Sequence, residues 1–161
     1  MLIRNATAAD ADAIAAIILP TIRDGSTYAL DSDTSEADAL AYWLAPDKEA
    51  FVAVDDGAVV GTYFLRRNQA GGGRHVCNCG YMTKADAAGR GIARRMCEHS
   101  LEHARTRGFR AMQFNFVVST NERAVRLWQS LGFEIVGRLP GAFRHPRGDD
   151  VDVLVMYSQI T

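Results

Sequence analysis

The residues best suited to chemistry fall in three places. The first is a glycine loop, Asp86-Ala87-Ala88-Gly89-Arg90-Gly91-Ile92-Ala93, leading from a strand-like run into an amphipathic helical run. A helix N-terminus carries unpaired N–H groups and a partial positive charge, and glycines let a phosphate approach that backbone closely. Arg90 and Arg94 add local positive charge in a chain whose formal net charge is −1. This fits a diphosphate. It also fits glycines that only make a tight strand-to-helix turn, and the loop matches neither GxGxxG nor the GxxxxGK loop.

The second place is a pair of asparagines on apolar strands. Alternation along His75-Val76-Cys77-Asn78-Cys79-Gly80-Tyr81-Met82 puts Val76, Asn78, Gly80 and Met82 on one face, with Asn78 its one polar member. Asn115 stands between Phe114 and Phe116 and reads as buried. An amide buried without partners costs about 1–3 kcal/mol, so each needs a hydrogen bond. A structural bond to backbone would satisfy both. So would a place in a substrate cleft, since asparagine offers two donors and an acceptor suited to a carboxylate or a carbonyl.

The third place is the start of a helix. Ser119-x-x-Glu122 reads as a capping box, which puts Asn121 in the first turn near the sheet edge, either as a helix-start polar residue or as a ligand contact. Ala124, Leu127, Trp128 and Leu131 follow core spacing, so Trp128 is either a core residue or part of the site.

These residues need elements to position them. A short strand at residues 2–4 precedes a helix opened by Thr7, with Asp10 three residues on and Pro20 where it loosens or ends. A second helix spans about 35–44. Strands at 51–54 and 59–65 flank an Asp55-Asp56-Gly57 hairpin turn, and a strand at 75–83 follows a glycine loop at 69–73. Helix three runs from about 91 to 107, stopping at Gly108, and a strand covers 110–118. Helix four runs from about 120 to 131, and strands at 133–138 and 151–158 flank a charged loop, 144–150. Strands separated by helices in the middle imply parallel pairing there, and hairpins at the ends imply antiparallel pairing.

The bulk numbers bound the function. A chain of 161 residues fits one domain. The near-zero net charge gives no global attraction to nucleic acid or to an anionic membrane, so an anionic ligand must be held by local design. No apolar run reaches the ~18–20 residues of a membrane span. Met1-Leu2-Ile3-Arg4-Asn5 does not open a signal peptide, and three cysteines (Cys77, Cys79, Cys97) are an odd count, so a cytoplasmic protein with reduced thiols is expected. His75, Cys77 and Cys79 share a strand face, but i, i+2, i+4 spacing gives no CxxC knuckle and no fourth ligand, so no metal is expected. Neither of these cysteines has a visible paired base that would make it a nucleophile.

Two linked motifs resemble the GNAT superfamily of N-acetyltransferases. Ala88-Gly89-Arg90-Gly91-Ile92-Ala93 is similar to that family's Q/R-x-x-G-x-G/A, departing at Ala88 where Gln or Arg is usual. Asn121-Glu122-Arg123-Ala124-Val125-Arg126-Leu127-Trp128, then Leu131-Gly132-Phe133, is similar to its N-x-x-A-x-x-L-Y and G-F pattern. The resemblance covers nearly the whole chain. It implies an α/β fold in one domain, residues 1–161, with a mixed sheet of about seven strands, splayed between the fourth and fifth and flanked by about four helices. It implies acetyl-CoA as co-substrate, with the diphosphate on Ala88 to Arg94 and the pantetheine arm along the backbone of Tyr81, Met82 and Thr83. Asn121 and Trp128 would complete that contact, and a homodimer is the family's expected assembly. Many family members carry tyrosine where Trp128 stands, to protonate the departing thiolate. An indole N–H is a donor but no such acid, so water or another group must protonate the thiolate, or it is stabilised without proton transfer.

A finer likeness joins Gly61-Thr62-Tyr63, residues 74–81 and residues 114–121 to the fungal proline-analogue N-acetyltransferases, which acetylate azetidine-2-carboxylate and related cyclic amines. It implies Asn78, Asn115 and Asn121 at the substrate and acetyl group, with Asn78 and Asn115 catalytic. The expected acceptor is a small amino acid or analogue. Rival readings are a peptide N-terminus or an antibiotic amine as acceptor, and a non-catalytic acetyl-CoA sensor. For a general base the sequence offers His75, Asp31, Asp33 and His145, or a water relay. Tyr28 and Trp43 either wall the cleft or only pack, and the 144–150 loop either rims it or is solvated.

Overall fold

The computed structural model describes residues 1–161. The elements run β1 (Leu2–Asn5), α1 (Ala11–Asp24), α2 (Glu36–Trp43), β2 (Glu49–Asp55), β3 (Ala58–Arg67), β4 (Val76–Thr83), α3 (Ile92–Thr106), β5 (Ala111–Val118), α4 (Glu122–Ser130), β6 (Glu134–Arg144) and β7 (Asp150–Gln159). The strands form one seven-stranded sheet in the order β1-β2-β3-β4-β5-β7-β6. Only β4 and β5 pair in parallel. The element order and the single parallel pair are those expected from the alternation of strand and helix patterns.

Each sheet face is covered by helices whose apolar stripe matches it. Ile14, Ile17, Ile18 and Ile22 of α1 join Ala39 and Trp43 of α2 over Val52, Phe64 and Met82. Met96, Cys97 and Ala104 of α3 and Trp128 of α4 cover the opposite face at Tyr63, Cys77, Cys79 and Phe114. Alpha3 lies close to β3 because Gly61 has no side chain. A Cβ there would stand 2.9 Å from both Ile92 Cγ2 and Met96 Sδ.

Three local expectations are corrected. Alpha1 does not end at Pro20 but runs on to Asp24 and stops at Gly25 (φ +71°). A proline forfeits one helical hydrogen bond, and here the buried isoleucines on both sides of it hold the helix against the sheet. Alpha4 is capped by Asn121, whose Oδ1 accepts from the Ala124 N–H at 3.4 Å, not by a box at Ser119. Ser119 directly follows β5, and its N–H donates to Asp152 O of β7 at 2.9 Å. At the N-terminus Asp10 behaves as its spacing predicts and accepts the Thr7 N–H at 2.7 Å, while Arg4 grips the same carboxylate with two bonds. Beta6 runs six residues past the expected 138, to Arg144, because β7 continues beside it to Asp150.

Candidate active site

The site begins where the sheet comes apart. Beta4 and β5 are bonded only at Val76–Ala111 and Cys77–Met112. Beyond them β4 stays paired with β3 as far as Thr83, so its other edge is left open. Beta5 meanwhile bends away, with an irregularity in its β7 pairing between Phe114 and Val117. The gap is a cleft of about 930 Å³ that runs between the α1–α2 connection and the N-termini of α3 and α4. Parallel strands place ligands at their carboxyl ends for this reason: the backbone there has polar groups and no partner.

One end of the cleft is lined by the glycine loop. Gly89 (φ +83°) and Gly91 (φ +76°) both take left-handed conformations, and Gly91 is the N-cap of α3. Ala88 N–H donates to Ala85 O and Arg95 N–H donates to Gly91 O, but the six amides from Gly89 to Arg94 have no backbone acceptor. Arg94 Nη2 donates to Ser130 Oγ at 2.7 Å, tying α3 to α4. Arg123 forms no ion pair, and its Nη2 lies 3.5 Å from where a Cβ on Gly89 would be. Open amides, the N-terminus of α3 and the unpaired Arg123 guanidinium lie together at this end, an arrangement suited to an anion.

The middle of the cleft is aromatic. Trp128 packs on Tyr81 (5.1 Å between ring centroids) and Phe114 (5.2 Å), and it lines the cleft as well. It is thus both core and wall. The Tyr81 hydroxyl turns away from the cleft and pairs with Ser100 Oγ at 2.7 Å, while Ser100 donates to Cys97 O. The Tyr81 carbonyl accepts from the Tyr28 hydroxyl at 3.1 Å. Gly80 keeps this crossing open, since a Cβ there would lie 2.7 Å from the Phe64 ring and 3.0 Å from the Tyr28 hydroxyl.

The far end, under the α1–α2 connection, is polar on its floor. In the β3–β4 register Arg66 lies opposite Asn78 and Phe64 opposite Gly80. Asn78 Nδ2 donates to Gln113 O at 2.9 Å. Asn115 Nδ2 donates to Asn68 Oδ1 at 2.7 Å, and Asn115 Oδ1 accepts from Gln113 Nε2 at 2.9 Å. Tyr28, Tyr42 and Phe64 form the walls.

The lining contains Arg66, Arg94, Arg123 and Arg126 and no aspartate, glutamate or histidine. Burial pushes the Cys77 and Cys97 thiols up to about 12 and raises Cys79 well above its ordinary value. Burial also raises the Tyr28 phenol, so it stays protonated. The cleft therefore holds hydrogen-bond donors and positive charge, but no thiolate nucleophile and no side-chain base.

The sequence matches the profile of the acetyltransferase (GNAT) family over residues 18–133. The chain belongs to this family. A GCN5-related N-acetyltransferase from Kribbella flavida superposes with a TM-score of 0.93 at 40% identity, covering 98% of this chain and 96% of that one. The N-acetyltransferase aca1 of Schizosaccharomyces pombe is 31% identical over 87 residues, 54% of this chain and 42% of that protein, so the match spans less than half the relative's length. A GNAT superfamily phosphinothricin acetyltransferase from Sinorhizobium meliloti, in complex with acetyl-CoA, shares the fold with a TM-score of 0.86 at 21% identity, covering 99% of this chain and 88% of that one.

On this GNAT scaffold the sequence-derived residues converge. Ala88, Gly89, Gly91, Ile92, Ala93, Arg94, Tyr81, Met82, Thr83, Asn78, Asn115, Asn121 and Trp128 all line the one cleft. Arg90 is the exception, because its guanidinium pairs with Asp55 outside the cleft and only its main chain belongs to the loop. Asn115 is exposed, not buried: the splay removes the neighbour that a strand residue between two phenylalanines would ordinarily have. Both Asn78 and Asn115 make protein hydrogen bonds and also face the cleft, so their two readings are compatible. Asp31, Asp33, His75 and His145 do not reach the cleft, and neither does the 144–150 hairpin. Tyr28 is a cleft wall, whereas Trp43 is fully buried and donates its indole N–H to Thr62 Oγ1 at 2.9 Å.

Three residues escaped the sequence reading: Arg66, Asn68 and Arg123. The first two carried a usable signal. The alternation of β3 continues past Leu65, which puts Arg66 and Asn68 on the face of Phe64. For Arg123 there was none, since its position in the helix-four motif admits any residue.

Proposed function

We propose that this GNAT protein transfers the acetyl group of acetyl-CoA directly to the amine of a small molecule, an amino acid or a proline-like analogue. One observation carries the reading: the six open amides of the glycine loop and the open edge of β4 lie in the same cleft as a cluster of asparagines. The first two features fit the diphosphate and the pantetheine amides of acetyl-CoA, and the third fits an acceptor at its acyl end. Acetyl-CoA supplies an acyl thioester poised for aminolysis.

The protein's part is to bind, orient and polarise. Amides 89–94, with Arg94 and Arg123 nearby, hold the diphosphate. The β4 edge beyond Cys77 aligns the arm. The free N–H of Asn115 and the amide of Asn78 face the point where the two substrates meet, and can donate to the thioester oxygen as negative charge develops on it. Loss of one such donor typically lowers turnover 10²–10³-fold. No acyl-enzyme is needed, and with every nearby thiol protonated none is favoured. With no carboxylate or imidazole in the lining, the amine gives one proton to water before attack; as the C–S bond breaks, its second N–H proton passes through water to the departing CoA thiolate, which leaves as the free thiol. A cationic lining also disfavours polycationic antibiotic amines, which would meet like charge.

Amine-dependent release of free thiol from acetyl-CoA tests this reading. Release with small amino acids or cyclic imino acids supports it. Turnover on peptide N-termini alone replaces the acceptor class, and tight CoA binding without any amine-dependent release replaces the enzyme with a sensor.

A further inference from the structure

The acceptor end of the cleft carries one guanidinium that no structural role consumes. Arg66 lies in β3 opposite Asn78, on the same face as Phe64 and Asn68. Directly opposed strand residues have Cβ atoms about 4.5–5.5 Å apart, so the Arg66 stem and the Asn78 amide form one edge of the floor. Arg66 Nε is used, since it donates to Arg67 O at 3.1 Å. Its Nη groups make no hydrogen bond within the protein. Their nearest acid is Asp47, at 3.6 Å from Nη1, with both side chains partly exposed. That separation is beyond the 2.7–3.2 Å of a sound N–H···O bond, and such surface pairs contribute little.

The surroundings fix the sign of the ligand. Lys48 Nζ sits 3.4 Å from the centroid of the Tyr42 ring, which is a cleft wall, so a second cation backs the same end. Asp47 is the one acid beside Arg66, and it does not line the cleft. A planar fork of free N–H groups beside a carboxamide, walled by Tyr28, Tyr42 and Phe64, is matched to a carboxylate on a compact apolar frame.

We propose that Arg66 is the residue that selects the acceptor: its guanidinium takes a carboxylate carried by the amine substrate, so amino acids and cyclic imino acids are favoured over neutral or cationic amines. This rests on the acetyl-transfer reading above and adds the group by which the acceptor is recognised.

The test compares azetidine-2-carboxylate with azetidine-2-carboxamide in the wild-type protein, Arg66→Gln and Arg66→Lys. Because each acceptor is compared with itself across variants, the difference in amine reactivity cancels. For the carboxylate, Arg66→Gln should lower kcat/KM about ten- to a hundredfold, the scale of one charged hydrogen-bonding partner, mainly through KM. For the carboxamide the change should stay within about threefold, Arg66→Lys should fall between, and KM for acetyl-CoA should not move. Calorimetric titration of azetidine-2-carboxylate into the CoA-saturated protein reads the same site without turnover. Binding lost in Arg66→Gln, with no turnover on either amine, would uphold Arg66 and sink the acetyl-transfer reading. Equal kcat/KM of wild type and Arg66→Gln for the carboxylate, equal losses on both acceptors, or no binding of the carboxylate by wild type would overturn the role of Arg66.

Discussion

Asn68 Oδ1 accepts a hydrogen bond from Asn115 Nδ2 at 2.7 Å, so a residue just past the end of β3 reaches across β4 to hold a residue of β5 at the mouth of the splay. Asn68 is almost fully buried, whereas Asn115 is exposed to the cleft. One N–H of Asn115 is thereby fixed and its other N–H is aimed by that bond. Under the proposed function, Asn68 would be a positioning residue and Asn115 the group at the reacting atoms.

Asn115→Ala should lower turnover about 10²-fold, as expected for loss of one preorganised donor, while CoA affinity stays within about threefold. Asn68→Leu should reproduce part of that loss, and Asn68→Asp, which keeps an acceptor oxygen, should recover most of it. Steady-state kinetics paired with CoA titration decides. Equal loss of turnover and CoA affinity in Asn115→Ala would return the pair to a purely structural role.

The glycine loop makes a separate prediction. Gly91 sits at φ +76°, and a Cβ there would meet nothing within 4 Å, so Gly91→Ala is a backbone change and not a clash. It should destabilise the fold by about 1–2 kcal/mol and weaken CoA binding, with acceptor KM unchanged. Thermal melts with and without CoA would show it: a variant whose melting point still rises by the wild-type increment with CoA contradicts the cradle.

How much of this was legible beforehand differs by residue. The loop, its helix and the parallel pair followed from glycine spacing and apolar periodicity, which are local signals. Asn115 did not. A strand asparagine between phenylalanines looks buried, and only the divergence of β4 from β5, a long-range property, makes it a cleft residue. Arg90 looked like a phosphate ligand because it lies in the loop, yet Asp55, distant in sequence, takes its guanidinium. The cap of α4 lies two residues later than the Ser119-x-x-Glu122 spacing predicts, because the Asn121 side chain itself accepts the Ala124 N–H. The missed Arg66 and Asn68 depended on how far β3 extends, and strand ends are poorly marked by composition.

The lining without carboxylate or imidazole predicts a pH profile. The acceptor's kcat/KM should climb through neutral and alkaline pH with the fraction of free amine, with no inflection at an enzyme group near 6–7. Measuring it with two acceptors of different amine pKa decides: the rise should follow the acceptor. A shared inflection would mean that a protein base is at work.

Asp10 governs stability at acid pH. The hydrogen bonds from Arg4, then that from the Thr7 N–H, hold its carboxyl well below the ordinary carboxylate range. A depressed folded-state pKa gives stability that is present above the unfolded value, about 3.9, and lost as pH falls below it. Asp10→Asn should therefore melt lower than wild type at pH 7, with the gap narrowing as pH is taken from 5 to 3. A gap independent of pH would contradict the ion-pair account.

The central claim is direct acetyl transfer to a small amine in the cleft between β4 and β5. Free-thiol release from acetyl-CoA, followed with azetidine-2-carboxylate, a cationic aminoglycoside and an N-terminal alanyl peptide, tests it most directly. The predicted result is thiol release that depends on azetidine-2-carboxylate and yields its N-acetyl derivative, with little from the other two. Saturable CoA binding with no amine-dependent release from any of the three would contradict it.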